Sequence, residues 1–182
     1  VFDAVLSEEQ AAPITGVLIV QKESVLHLIE TSMDTSTSFL RHLQSMEDGV
    51  APHERIMDNI KILVSSEDCP TPYFPKWFNY YVQVNPESNI DINREDPIEA
   101  SWGVLDKLAE LAKEMSQQQS SISASELKRK FYHLVPSNER VLGLAESNKN
   151  MTLSEYLQVY DTPISAILES ERVWPIPSIM RY

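Results

Sequence analysis

The sequence predicts an α+β fold, with β-strands in the first half of the chain and amphipathic helices in the second. Two short apolar runs, rich in β-branched residues, flank a four-residue polar gap, an arrangement typical of a β-hairpin. After residue 97, apolar residues recur every three or four positions, which is the spacing of one helix face. The 182 residues are 42% hydrophobic and 23% charged, as expected of a folded globular chain.

The predicted hairpin comprises residues 14–20 and 25–29, joined by the polar residues 21–24. The first of its two runs is continuous from Val17 to Val20 rather than alternating. A continuous apolar run is typical of a strand that is covered on both faces. We therefore expect this strand to be central in its sheet.

A helix is predicted next, with Asp34 or Thr35 as its N-cap and with its end near Met46. Its apolar residues lie three or four positions apart and predict one buried stripe. That stripe consists of Phe39, Leu40, Leu43 and Met46. Gly49 and Pro52 are expected to close the helix.

Two further strands are predicted, at residues 60–64 and 77–84. Three prolines, Pro70, Pro72 and Pro75, lie between them. Because proline lacks a backbone N–H and fixes φ, this segment is neither a helix interior nor a central strand. We expect a turn-rich loop that leads into the fourth strand.

The second half of the chain begins with a predicted helix from Pro97, a residue suited to a first helical turn. Its apolar stripe consists of Trp102, Leu105, Leu108, Ala109, Ala112 and Met115. Residues 116–125 are rich in Ser and Gln and predict a linker. Helices are expected at about 125–135 and 138–147.

The last predicted helix runs from Thr152 to Tyr160, because Thr152 and Glu155 form a capping box. A late strand is expected at 164–169, followed by an extended tail, since each proline there disfavours the α conformation of its predecessor. We expect two parts: an α+β domain at 1–85, and a helical extension at 86–182 with this strand and tail.

The formal charge of −12 disfavours nucleic acid as a partner. The basic cluster at 128–130 is short and is better explained as a solvated helix face. A single cysteine, Cys69, allows no intrachain disulfide and favours the cytoplasm. We see no signal peptide and no apolar run of membrane-spanning length, and we expect no membrane association.

We predict no metal site and no catalytic site. The histidines, His27, His42, His53 and His133, include no i, i+4 pair, and there is no second cysteine. The acidic segment 91–102 lacks the glycine and the glutamate that a calcium loop requires.

The four glycines are too far apart to form a phosphate-binding loop. Cys69 is a poor nucleophile beside Asp68, because a neighbouring carboxylate disfavours the thiolate.

One set of segments resembles BLUF domains, which are ferredoxin-like α+β domains that bind flavin and sense blue light. It consists of ITGVLIV at 14–20, VLHLIE at 25–30, the strand at 61–64, and FPKW at 74–77. The resemblance covers roughly residues 5–84. It implies a ferredoxin-like, BLUF-like sheet with packed helices that lacks the family's first strand.

The same resemblance implies that flavin binding has been lost. His27 occupies the position of the glutamine that relays hydrogen bonds to the flavin, and Glu8 lies near the position of a ring-contacting asparagine. Only Trp77 is kept. We expect no bound cofactor and a vestigial cleft between His27 and Trp77, with His27 serving as a structural histidine. The alternative is a sensor of flavin or another small ligand in that cleft.

A longer resemblance, to the testis-expressed protein 47 family, covers nearly the whole chain. It includes the hairpin, residues 61–65 and the tail VWPIPS at 173–178. It implies a non-catalytic interaction protein of motile cilia and sperm flagella, in the axonemal radial spokes or central apparatus.

The tail is the predicted docking segment for axonemal partners. Its candidate residues are Trp174, Pro175, Ile176 and Pro177. Prolines hold it extended, which lowers the entropic cost of docking, and a tryptophan is a common interface anchor. The tail could instead fold back on its own domain. A homo-oligomer, formed through the sheet or through the helix after Pro97, is also left open.

Overall fold

The structure, a computed structural model, describes residues 12–49, 57–67, 69–82, 95–117 and 123–161. The elements, in chain order, are β1 (Thr15–Val20), β2 (Val25–Glu30), α1 (Met33–Asp48), β3 (Lys61–Ile62), β4 (Trp77–Tyr81), α2 (Pro97–Gln117), α3 (Ala124–Lys130), a 3-10 turn (Tyr132–Leu134), α4 (Asn138–Glu146), β5 (Met151–Thr152) and α5 (Leu153–Tyr160). The predicted α+β class is confirmed.

The main sheet has the strand order β2-β1-β4. β2 pairs with β1 as the predicted antiparallel hairpin, whereas β4 runs parallel to β1. The predicted central position of the first strand is therefore confirmed. Gly16 has φ +124°, and a Cβ there would lie 2.0 Å from the carbonyl oxygen of Leu28. Only glycine fits this point of β1.

Alternation along the strands gives the sheet two faces. One face, here called the helical face, packs against α2, α3 and α4 and carries Val17, Ile19, Leu26, Phe78 and Tyr80. The other, here called the cleft face, carries Leu18, His27, Ile29, Trp77, Asn79 and Tyr81. A second hydrophobic cluster, formed mainly by α1 and α5, includes Ile29 and so covers one end of the cleft face.

Helix α1 begins earlier than predicted. Its N-cap is Ser32, whose hydroxyl accepts a hydrogen bond from the Thr35 backbone N–H at 3.4 Å. Gly49 closes the helix, as predicted. Met46 was expected in the buried stripe but is 39% exposed. Gln44 already lies opposite Ser154, at the start of α5, so the last turn of α1 extends past the helix that covers the rest.

Helix α2 is confirmed, but its buried face differs from the predicted stripe: Leu105 and Ala109 are only half-buried, and the largest difference is at Trp102. Trp102 was expected inside and is 49% exposed. The buried residues are Ala100, Ser101, Val104, Leu108, Leu111, Ala112 and Met115. Because Trp102 and Val104 are two positions apart, they lie on nearly opposite sides of a helix. The helix can therefore bury only one of them.

The predicted third strand is shorter than expected and does not belong to the main sheet. Only Lys61 and Ile62 are in a strand, and this strand pairs with Met151 and Thr152 of β5. α3 ends at Lys130 and a 3-10 turn follows, instead of a helix continuing to 135. α4 and the capping box of α5 are confirmed. The late strand at 164–169, and Pro52, lie outside the described residues.

Residues before and after the predicted domain boundary at 85 share one hydrophobic core. In addition, the Gln21 amide donates to the carbonyl of Pro136 at 2.7 Å. The boundary itself lies outside the described residues, so the division at 85 stays a prediction. So does the ferredoxin-like arrangement, because the described main sheet has three strands.

Candidate functional site

The two residues of the predicted cleft, His27 and Trp77, are brought together on the cleft face. They belong to β2 and β4, on opposite sides of β1. Trp77 pairs in register with Gly16, which has no side chain to separate the two rings. The Trp77 indole N–H donates a hydrogen bond to His27 Nε2 at 3.2 Å. The cleft residues therefore contact each other directly.

Burial sets the charge of His27. It lowers the pKa of the imidazole from 6.5 to about 4, because the cation loses its hydration inside the protein. His27 is therefore neutral at physiological pH. Since Nε2 accepts the Trp77 hydrogen bond, the single ring proton of neutral His27 lies on Nδ1.

A third ring, that of Phe39 in α1, completes this site. The Phe39 and His27 centroids are 5.7 Å apart at an interplanar angle of 82°. The His27 and Trp77 centroids are 6.3 Å apart at 70°. Both are edge-to-face arrangements, which aromatic rings favour. We call His27, Phe39 and Trp77 the aromatic cluster.

The chemistry available to the aromatic cluster is limited. A general base must present a free lone pair to the proton that it removes, and His27 Nε2 already accepts the indole proton. A planar ligand that bound the indole N–H or His27 Nε2 would first have to break this 3.2 Å hydrogen bond. The arrangement is therefore suited to packing rather than to proton transfer.

Glu30 fixes the loop that positions Trp77. Its carboxylate accepts backbone N–H hydrogen bonds from Tyr73 at 2.5 Å and from Phe74 at 3.0 Å, and the Phe74 side chain is fully buried. Thr15 Oγ1 also donates to this carboxylate at 3.4 Å. No local sequence pattern marks Glu30, because its partners in the loop, Tyr73 and Phe74, lie more than 40 residues away.

The far end of the cleft face is open. Val25 is 41% exposed and Tyr81 is 72% exposed, and Asn79 is also exposed. The cleft face thus changes along the strands, from a packed aromatic cluster to a solvated surface.

Other residues considered in the sequence are not gathered into a site. Cys69 is exposed, and its thiol donates to Ser66 Oγ at 3.6 Å. The basic residues at 128–130 are exposed at the end of α3. Within the described ranges, no three His, Cys, Asp or Glu side chains are grouped as a metal site would require, and no helix is long and apolar enough to cross a membrane.

Two groups of candidates lie outside the described residues: Glu8, and the tail residues Trp174, Pro175, Ile176 and Pro177. Their predicted roles stay predictions.

A comparison with protein-family models finds a match to testis-expressed protein 47 over residues 1–162. The matched range contains the hairpin, both residues of the cleft and every helix of the described chain. The match covers well over half of the chain, so this protein belongs to the testis-expressed protein 47 family.

Proposed function

We propose that this protein is a non-catalytic interaction component of the sperm flagellum. Membership of a testis-expressed family supports a sperm-related role. The observation that carries the non-catalytic part is the Trp77–His27 hydrogen bond, in which the indole N–H and His27 Nε2 are partners within the protein. A domain that retains its sheet and uses these polar groups internally is suited to a scaffold role.

Burial of the cleft residues supports the same proposal. A buried polar group is costly unless it is hydrogen-bonded, and the indole–imidazole contact provides that bond within the protein. The indole N–H and His27 Nε2 therefore need no ligand as a hydrogen-bond partner. A binding site for a polar ring system would instead leave donors and acceptors for the ligand to satisfy.

The finer part of the proposal is an axonemal location, in the radial spokes or the central apparatus, with other axonemal proteins as partners. It is supported by the resemblance seen in the sequence, including the tail that contains Trp174. The net charge of −12 favours basic or neutral protein partners over nucleic acid.

Sequential extraction of sperm tests the location. Detergent removes membranes and soluble proteins, and high salt or urea then releases axonemal proteins. We expect this protein in the axonemal fraction, together with radial-spoke or central-apparatus markers. Release of nearly all the protein by detergent alone would contradict the proposal. A cytosolic enzyme and a tubulin antibody provide the two controls.

Deleting the tail from Trp174 onward tests its proposed role as the anchor. We expect loss of the protein from the axonemal fraction, with no change in its thermal unfolding. Retention of the truncated protein in that fraction would show that the tail is not the anchor.

The alternative function, a flavin or small-ligand sensor, is tested by absorbance. Purified full-length protein is expected to be colourless and to leave the spectrum of added flavin mononucleotide unchanged. Visible flavin bands that persist through gel filtration would favour the sensor. A His27→Gln variant sharpens the test, because it supplies the residue that BLUF domains use without supplying their other flavin contacts.

A further inference from the structure

Helix α2 has an outer face whose side chains are exposed. Its buried residues point to the helical face of the sheet. On the opposite side, five exposed residues recur at helical spacing: Ile98, Glu99, Trp102, Asp106 and Glu110. Lys113 continues the same side. Together these six residues are called the α2 outer face. They span about 22 Å along the helix axis.

The N-terminal end of the α2 outer face is apolar. Ile98 is 51% exposed and Trp102 is 49% exposed, and residues four positions apart lie next to each other on a helix. Tryptophan is among the residues most often found as an energetic anchor of protein interfaces. An exposed indole beside an exposed isoleucine is therefore a surface that gains free energy when a partner covers it.

Three carboxylates lie beside this apolar pair and further along the helix. Glu99, Asp106 and Glu110 are exposed, and in the part of the chain that the structure describes no ion pair within 4 Å neutralises them. Lys113 supplies the one cation of the face. The α2 outer face is therefore negative, on a chain whose formal charge is already −12.

This charge distinguishes between two occupants. A second copy of the chain would bring together two faces that each carry three carboxylates and one lysine, and a like net charge on both sides of an interface is unfavourable. A segment bearing Lys or Arg would pair with those carboxylates, and its cations could also stack on the Trp102 indole. Charge complementarity thus favours a basic partner over self-association.

We infer that the α2 outer face binds a basic amphipathic segment of a partner protein, with Trp102 as its anchor. The inference rests on the proposed interaction role and adds to it a surface and a partner chemistry. It is independent of the tail, because all six residues of the face belong to α2.

Fluorescence anisotropy with synthetic peptides tests the inference on the full-length protein. The probe is a fluorescein-labelled amphipathic helix of Leu and Lys, and its counterpart carries Glu in place of Lys. We expect the Lys peptide to bind at least tenfold more tightly than the Glu peptide. The affinity should also fall as salt is raised, because the attraction is between exposed charges.

Two matched pairs of variants locate the binding. Asp106→Lys and Glu146→Lys make the same change in net charge, but Glu146 lies exposed at the end of α4. Trp102→Gln and Tyr132→Gln each remove an exposed aromatic ring. We expect Asp106→Lys and Trp102→Gln to weaken binding of the Lys peptide at least fivefold, and their controls to change it less than twofold. Circular dichroism and thermal unfolding verify that all four variants fold.

Three outcomes would overturn the inference. Equal weakening by Asp106→Lys and Glu146→Lys would mean diffuse attraction to the net charge. A concentration-dependent dimer that Trp102→Gln abolishes would identify a second copy as the occupant. Absence of peptide binding would exclude the partner chemistry. Axonemal extraction of the Trp102→Gln protein separates the two proposals: a protein that still fractionates with axonemes keeps its proposed function and loses only this surface.

Discussion

The two faces of the main sheet carry different chemistry, although they are built from the same three strands. On the helical face, Val17 and Ile19 are fully buried beneath α2, α3 and α4, in a core that is almost entirely apolar. The cleft face has a neutral histidine bonded to a tryptophan at one end and the exposed ring of Tyr81 at the other. The larger hydrophobic core lies on the helical face, so we expect that face to supply most of the stability.

The largest effect is expected from truncating the core beneath the helical face. Leu108 is 2% exposed in α2, so Leu108→Ala should lower the free energy of unfolding by about 3–4 kcal/mol, through lost burial and the cavity that remains. Urea denaturation measures this change.

The control for Leu108→Ala is Val25→Ala at the open end of the sheet, where the side chain is 41% exposed. The free energy of unfolding of that variant should fall by less than about 1 kcal/mol. Equal losses of stability in the two variants would mean that the helical face does not contribute more to stability than the open end of the cleft face.

The second expected effect is a pH dependence of the free energy of unfolding, caused by His27 on the cleft face. The pKa of His27 is about 4 in the folded protein, against 6.5 for an unburied histidine. Between these values the unfolded state binds more protons than the folded state, so stability falls as pH is lowered from 6.5 to 4. The loss attributable to His27 is at most about 3 kcal/mol.

Urea denaturation at several pH values measures the His27 contribution. His27→Gln should flatten the stability profile between pH 4 and 6.5, because glutamine does not titrate. His133→Gln, which changes an exposed histidine on the 3-10 turn, is the matched control and should keep the wild-type slope. If the two variants gave the same profile, the slope would come from other groups.

The difference between the faces also explains what could be predicted from the sequence. The hairpin and the central position of β1 follow from local pattern, because burial on both faces leaves a continuous apolar run. Trp102 shows the limit of such reasoning. Apolar residues occupy more than half the circumference of α2, and only the tertiary contacts determine that Val104 is buried while Trp102 faces solvent.

The cleft shows the same limit. The pairing of His27 with Trp77 was expected from a family resemblance, but their hydrogen bond depends on the parallel register of β4 against β1. Glu30 also holds the loop at Tyr73 and Phe74, which leads into β4. The contact joins residues more than 40 positions apart, and no local pattern encodes it.

The third effect isolates the hydrogen bond of the aromatic cluster. Trp77→Phe keeps a ring in place but removes the donor, which leaves Nε2 of His27 without the indole proton. We expect a loss of about 1–2 kcal/mol in the free energy of unfolding, the cost of removing a partner from a partly buried acceptor. Trp102→Phe on the α2 outer face is the control and should be nearly neutral. A neutral Trp77→Phe would show that the indole–imidazole contact contributes little to stability.

The smallest change in stability is expected at the open end of the cleft face. It tests whether this end is exposed to solvent. Tyr81 is 72% exposed in β4, and threonine, like tyrosine, is a residue that strands favour. Tyr81→Thr should therefore change the free energy of unfolding by no more than about 0.5 kcal/mol. A loss several times larger would mean that another part of the chain packs on Tyr81 in solution. The cleft face would then be covered at both ends. The two faces would still differ in the chemistry of their side chains, but they would no longer differ in exposure to solvent.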